Sequence, residues 1–169
     1  MMSVLETERL RLREMVAGDV DALLEMLGDA EVMRAWERTF DREGALAWIE
    51  RQRARYEADG CGYWLAERIG TGEAVGQAGV LFCELDGVRV PGVGYILARR
   101  HWGHGYATEA ARACLAWAME RLEAPRFVSL VRRSNAASAR VAERLGMTIT
   151  GSVTFAGFAH DVWEIRPTA

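Results

Sequence analysis

Two glycines in Trp102-Gly103-His104-Gly105-Tyr106-Ala107-Thr108-Glu109-Ala110 form a turn that opens a helix directly after an apolar strand. Glycine bends the chain tightly and leaves bare backbone facing outward. From Tyr106 to Leu122, the residues Ala107, Ala110, Ala111, Cys114, Leu115, Ala118 and Leu122 recur at three- and four-residue steps, which predicts the helix. The unpaired N–H groups of its first turn and the positive end of its dipole then point at any anion in front of the glycines. A pyrophosphate fits that cradle.

Three phosphate-binding outlines compete for this segment. A Walker loop needs Gly-Lys-Ser/Thr at the helix start, and none follows Gly105. A dinucleotide fingerprint needs a third small residue where Thr108 stands. The remaining outline closely resembles the Gln/Arg-x-x-Gly-x-Gly/Ala loop of the GCN5-related N-acetyltransferase (GNAT) superfamily, with Trp102 in the Gln/Arg position, Gly105 in the middle and Ala107 last. Tryptophan at the first position is similar to the ribosomal-protein N-terminal acetyltransferase (RimJ/RimL-like) branch. So are Asn135-Ala136-Ala137-Ser138 leading to Gly146-Met147, and the opening Thr7-Glu8-Arg9-Leu10-Arg11-Leu12-Arg13.

The resemblance implies an acetyl-CoA-dependent N-acetyltransferase that moves an acetyl group to a primary amine by direct attack in a ternary complex. Candidate acceptors are a protein N-terminal α-amine and a small-molecule amine. It implies that Gly103, His104, Gly105, Tyr106, Ala107 and Thr108 hold the pyrophosphate, and that Tyr95, Leu97 and Asn135 hold the pantetheine arm. Many relatives carry a tyrosine acid at the position of Ala142; here Ser138 is the match for the serine that the ribosomal-protein branch places near the sulfur. Helix serines often only bond a carbonyl one turn back, and Asn135 is also a good N-cap. Glu84 is the first choice of base because the family's acceptor cleft opens beside the central strands, with Asp86, Glu109 and Asp161 as further carboxylates. No carboxylate lies between Ser152 and Ala159, where the branch often places one. Arg99, Arg100, Arg132, Arg133 and Arg140 are candidates to neutralise phosphates, and His101 is expected on the surface of the basic link. Two alternatives from other classes are a non-catalytic acyl-CoA-binding sensor and a partner-binding module with a tryptophan-rich face.

Length and composition bound these readings. With 169 residues, half of them hydrophobic, the chain suits a single domain over 1–169. A net charge of −3 disfavours a nucleic-acid partner. The three cysteines and three histidines lack the spacing of a disulfide framework or metal site, so no metal is expected. No basic leader and no apolar stretch of ~20 residues is visible, which predicts a cytoplasmic protein away from the membrane. A monomer or homodimer is expected.

The elements that must position these groups follow from periodicity. An alternating edge strand is expected over Arg9–Met15, followed by a helix capped by Asp19 with Val20, Leu23, Leu24 and Leu27 inward. A second helix starts at Asp41 and carries Ala45, Trp48, Ile49 and Tyr56. Strands are expected over Tyr63–Ile69, Ala74–Glu84, Val93–Leu97 and Phe127–Val131, with a hairpin signal at Leu85-Asp86-Gly87, a helix after Asn135 and strands around Ile149 and Trp163. This order predicts an α/β fold with a GNAT-like mixed, mostly antiparallel central sheet flanked by helices. Trp36, Phe40, Trp48, Tyr63 and Trp64 fall in the half expected to form the acceptor cleft, most of them as core and one or two lining the site.

Overall fold

The computed structural model describes residues 3–168. Eight strands form one sheet in the order β1-β2-β3-β4-β5-β6-β8-β7. They are β1 (Ser3–Glu6), β2 (Leu10–Arg13), β3 (Tyr63–Arg68), β4 (Ala74–Leu85), β5 (Val88–Leu97), β6 (Phe127–Arg132), β7 (Thr148–Phe155) and β8 (Phe158–Ile165). Four helices flank it: α1 (Val20–Leu27), α2 (Arg42–Asp59), α3 (Tyr106–Arg121) and α4 (Ala136–Arg144). Every strand pairing is antiparallel except β5 with β6. Among the described residues no helix is long and apolar enough to cross a membrane.

Each face of the sheet buries its own apolar cluster. On one face the small residues Ala110, Ala111, Cys114 and Ala118 of α3 lie against Trp64, Ala78, Val80 and Val93, with Val141 and Ala142 of α4 alongside. On the other, Leu23, Met26 and Leu27 of α1 and Ala45 and Ile49 of α2 meet Leu65 and Ile96. Alternation along β3 sends Trp64 and Leu65 to opposite faces, which is why this strand reads as continuously apolar.

Three expectations change in detail. The segment at Leu10 is not the edge: β1 pairs outside it with a register irregularity, and this four-residue strand is too short to show a period of its own. The strand expected from Val93 begins at Val88, because Pro91 breaks the sequence signal; in the sheet Pro91 stands opposite Phe82, before β5 meets β6. Asp19 occupies the N-cap position of α1 but makes no capping bond. Its carboxylate instead receives both Arg13 amino groups at 2.8 and 2.9 Å and the Val16 N–H at 2.8 Å.

The β5–β6 junction positions the site. β4 and β5 pair continuously from Gly76–Leu97 to Leu85–Val88, whereas β5 and β6 share the single register Gly92–Val128. Beyond it the Ser129 hydroxyl spans the gap to the Val93 carbonyl at 3.1 Å. The strands then part, and the backbone N–H and C=O of Tyr95, on the same flank as those of Val93, face the opening.

Candidate functional site

The glycine turn lies beyond the C-terminal end of β5. Gly103 and Gly105 have φ of +78° and +80°, a region that side-chain-bearing residues rarely adopt. Gly105 is the N-cap of α3 and has no side chain to satisfy the first amides; the first intrahelical bond recorded there is Glu109 N–H to the Gly105 carbonyl at 3.1 Å. The N–H groups of Tyr106, Ala107 and Thr108 therefore stand free at the positive end of a sixteen-residue helix. Trp102 explains its own position: its indole N–H donates to the Leu97 carbonyl at 3.1 Å and ties the turn to the strand end.

Arg9, in the opening segment, anchors this turn across about a hundred residues of chain. Its guanidinium donates to the His104 carbonyl at 3.0 Å, pairs with Glu109 at 2.6 Å and lies 4.6 Å from the Tyr106 ring centroid. Thr7 also donates to Glu109, at 2.6 Å. Burial alone would raise the pKa of the Glu109 carboxyl, but the bonds from Thr7 and Arg9 outweigh it and hold the pKa below the ordinary value. Glu109 is thus committed to the β1–β2 turn and its charge is compensated beside the anion cradle. Arg9→Ala is expected to weaken acetyl-CoA binding about tenfold by loosening the His104 carbonyl, read as a smaller ligand-induced rise in melting temperature.

His101 departs from expectation. It is buried, 3.5 Å from Glu73, and edge-on to Tyr106. Burial, then the neighbouring Arg100, lowers its pKa, so the imidazole is a neutral packing element below the turn. Of the five arginines proposed for phosphates, four are spent on carboxylates: Arg99 on Asp29, Arg100 on Glu25 and Glu73, Arg132 on Glu37 and Arg133 on Asp161. Arg140, exposed on α4, makes no ion pair among the described residues.

Across the opening, the Tyr95 hydroxyl donates to the Ser138 carbonyl at 3.2 Å, bringing β5 and α4 together. Burial pushes the Tyr95 pKa up to about 12, so this phenol keeps its proton at neutral pH. Asn135 caps α4, its side-chain oxygen accepting the Ser138 N–H at 3.2 Å. Ala142 is buried in the core, so no phenol from that helix position enters the opening. Leu97 contributes a buried side chain, and its carbonyl is taken by Trp102.

Glu84 is not brought to these residues. It is exposed opposite Arg89, on the far side of the Gly92–Val128 register from Tyr95. The six residue steps from Arg89 to Tyr95 span about 20 Å of strand. β4 and β5 continue as a hairpin past the junction, which carries Glu84 away from the opening rather than beside it.

The opposite wall is built by contacts distant in sequence. Arg132, the last residue of β6, donates to the Ala35 carbonyl at 2.7 Å, pairs with Glu37 at 2.6 Å and lies 3.8 Å over the Phe158 ring. It thereby joins the α1–α2 connection to the β7–β8 hairpin. Tyr63, Trp48, Phe40 and Trp36 pack on this α1–α2 side, while Trp64 belongs to the α3 core.

The family description Acetyltransferase (GNAT) domain matches residues 9–148. The chain belongs to the GNAT acetyltransferase family. Uncharacterized protein YkkB of Bacillus subtilis (strain 168) is 38% identical to this GNAT chain over 144 residues, 85% of the chain and 84% of that relative. An acetyltransferase from Agrobacterium tumefaciens strain C58 has a similar crystal structure, with a TM-score of 0.84 at 29% identity, covering 99% of this chain and 96% of that one. RimL, a ribosomal L7/L12 alpha-N-protein acetyltransferase solved in complex with coenzyme A, shares the fold with a TM-score of 0.79 at 20% identity, covering 98% of each chain.

As a GNAT member the protein is an acetyl-CoA-dependent acyltransferase, with acetyl-CoA as co-substrate. Its residues fit that co-substrate. The free amides of α3 suit a pyrophosphate, and a β-carbon placed at Gly103 would meet nothing within 4 Å, so the backbone there is open to approach.

Proposed function

We propose that this GNAT acetyltransferase moves the acetyl group to a primary amine by direct attack within a ternary complex. The parting of β5 and β6, with the open amides of α3 at one end and Tyr95 meeting Ser138 across the middle, carries this reading. The amides from His104 to Thr108 hold the pyrophosphate, assisted by Arg140. The free backbone edge at Tyr95 and the side chain of Asn135 hold the pantetheine arm. The acceptor amine enters from the α1–α2 side, and its nitrogen attacks the thioester carbonyl carbon. As the C–N bond forms and the C–S bond breaks, Ser138 gives a proton to the departing sulfur, the new amide loses its extra proton to water, and water returns a proton to the Ser138 oxygen.

The state of the cysteines supports direct transfer without an acetylated thiol. Burial raises the pKa of all three thiols, to about 11 for Cys61, so none is held as a nucleophilic thiolate. With Glu84 away from the opening, an acceptor that arrives partly neutral suits the site. An α-amine with a pKa near 8 meets that condition better than a lysine near 10.4. The placement of Glu84 away from the opening, with Ala142 buried, favours a non-catalytic acyl-CoA sensor as the second reading.

Free-thiol release and thermal stability measured with acetyl-CoA and a panel of amines separate the two. Stabilisation with acceptor-dependent thiol release is expected; stabilisation without release from any amine supports the sensor. Ser138→Ala is expected to lower kcat about a hundredfold with an unchanged KM for acetyl-CoA. Unchanged turnover assigns Ser138 to packing alone.

A further inference from the structure

The α1–α2 side of the opening is a path of rings whose outer end is held by arginines without carboxylate partners. Phe40 meets Trp48 edge-on at 5.6 Å, and Trp48 stacks on Tyr63 at 5.8 Å. The Tyr63 hydroxyl ends against Gly94 of β5, 2.5 Å from where a β-carbon would stand. Gly94 is therefore the gap in β5 that admits this phenol beside the opening. Trp48 is fixed in the path by its indole N–H, which donates to the buried Gln77 at 2.9 Å.

Arg38 lies 4.4 Å from the Phe40 centroid and Arg51 5.5 Å from that of Trp48. Arg55, one turn beyond Arg51 on α2, donates at 3.1 Å to the Gln52 side-chain oxygen, which also accepts the Tyr63 N–H at 3.0 Å. Among the described residues none of these three arginines forms an ion pair. The carboxylates nearest in sequence to Arg38 and Arg51 are engaged elsewhere: Glu37 with Arg132 at 2.6 Å, Glu50 with Arg53 at 3.0 Å, and Asp41 on the Gly44 N–H at 2.8 Å. Burial, then Arg55 and Arg38, lowers the Arg51 pKa, with no carboxylate opposing them. Like charges four residues apart on a helix repel, and a third converging cation adds to this. A bound anion relieves that repulsion, whereas a polycationic acceptor would increase it.

We infer that the acceptor is an anionic primary amine. Its carboxylate groups sit at Arg38 and Arg51, and its amine reaches along Phe40, Trp48 and Tyr63 to the β5–β6 opening. The inference rests on the proposed transferase reading and narrows its acceptor class. Guanidinium groups suit this task because they bind carboxylates through paired donors and stay charged when partly desolvated. Two sources present the same chemistry: a free acidic amino acid, and a peptide with acidic residues after its N-terminus.

Acetyl-CoA-dependent thiol release tests it with matched acceptors: peptide amides carrying two glutamates, two glutamines or two lysines after an N-terminal alanine, together with free glutamate, free glutamine and spermidine. The expected result is a kcat/KM for at least one glutamate acceptor about tenfold above its glutamine match, with the lysine peptide and spermidine poorest. Whether the peptide or the free amino acid shows that preference names the source. The double variant Arg38→Glu, Arg51→Glu is expected to invert the order while acetyl-CoA still raises its melting temperature, which shows that it folds and binds donor. Transfer that is equal or faster to the glutamine or lysine acceptors overturns the inference and leaves the transferase standing. Donor binding with no transfer to any acceptor overturns both.

Discussion

Gly105→Val is expected to lower acetyl-CoA affinity about a hundredfold while the protein remains folded. The backbone at Gly105 has φ of +80°, where a β-branched residue is strained, and the added β-carbon would stand 3.5 Å from the Arg9 guanidinium. The strain falls on the N-cap of α3, and relaxing it rotates the amides of Tyr106, Ala107 and Thr108 away from a shared anion. Losing the alignment of two charge-assisted hydrogen bonds costs about 3 kcal/mol, which is about a hundredfold. Titration calorimetry with acetyl-CoA, beside denaturant unfolding of the free protein, separates loss of the cradle from loss of the fold. Native affinity in a folded Gly105→Val protein would remove the α3 amides from the donor site.

Arg13→Met is expected to cost about 3–5 kcal/mol of stability, read from urea unfolding at neutral pH. Arg13 holds Asp19 through two bonds of 2.8 and 2.9 Å and Glu67 at 2.6 Å, and each of the three is no more than 17% exposed at its side chain. Removing the cation leaves two carboxylates facing each other in a poorly solvated site. Arg13→Lys should recover only part of the loss, because one ammonium cannot reproduce a fork shared between two carboxylates. Full recovery by Arg13→Lys would show that a single positive charge, rather than the fork, holds the two carboxylates.

Much of the donor side was legible in the sequence because it is local. The glycine turn, the free first turn of α3 and the Asn135 cap of α4 are each made by residues a few positions apart, through backbone geometry that residue type governs. Periodicity likewise placed most strands and all four helices, and the hairpin at Leu85-Asp86-Gly87 followed from its turn residues. The β1 strand was missed because pairing with β2, rather than its own pattern, makes it a strand.

Contacts between residues far apart in the chain were not legible, for the converse reason. Arg9 meets Glu109 and His104 across about a hundred residues of chain, and Arg132 meets Glu37 across nearly as many. Glu84 was a reasonable base on strand identity alone; the direction in which β4 and β5 run past the junction removes it from the opening. By itself the sequence determined the helix entry, the cap, the alternating faces and the family, since these depend on residue type and short spacing. Only the tertiary structure decided which side chains share the opening. That depends on sheet order and on where β5 parts from β6, and those are settled by the packing of the whole core.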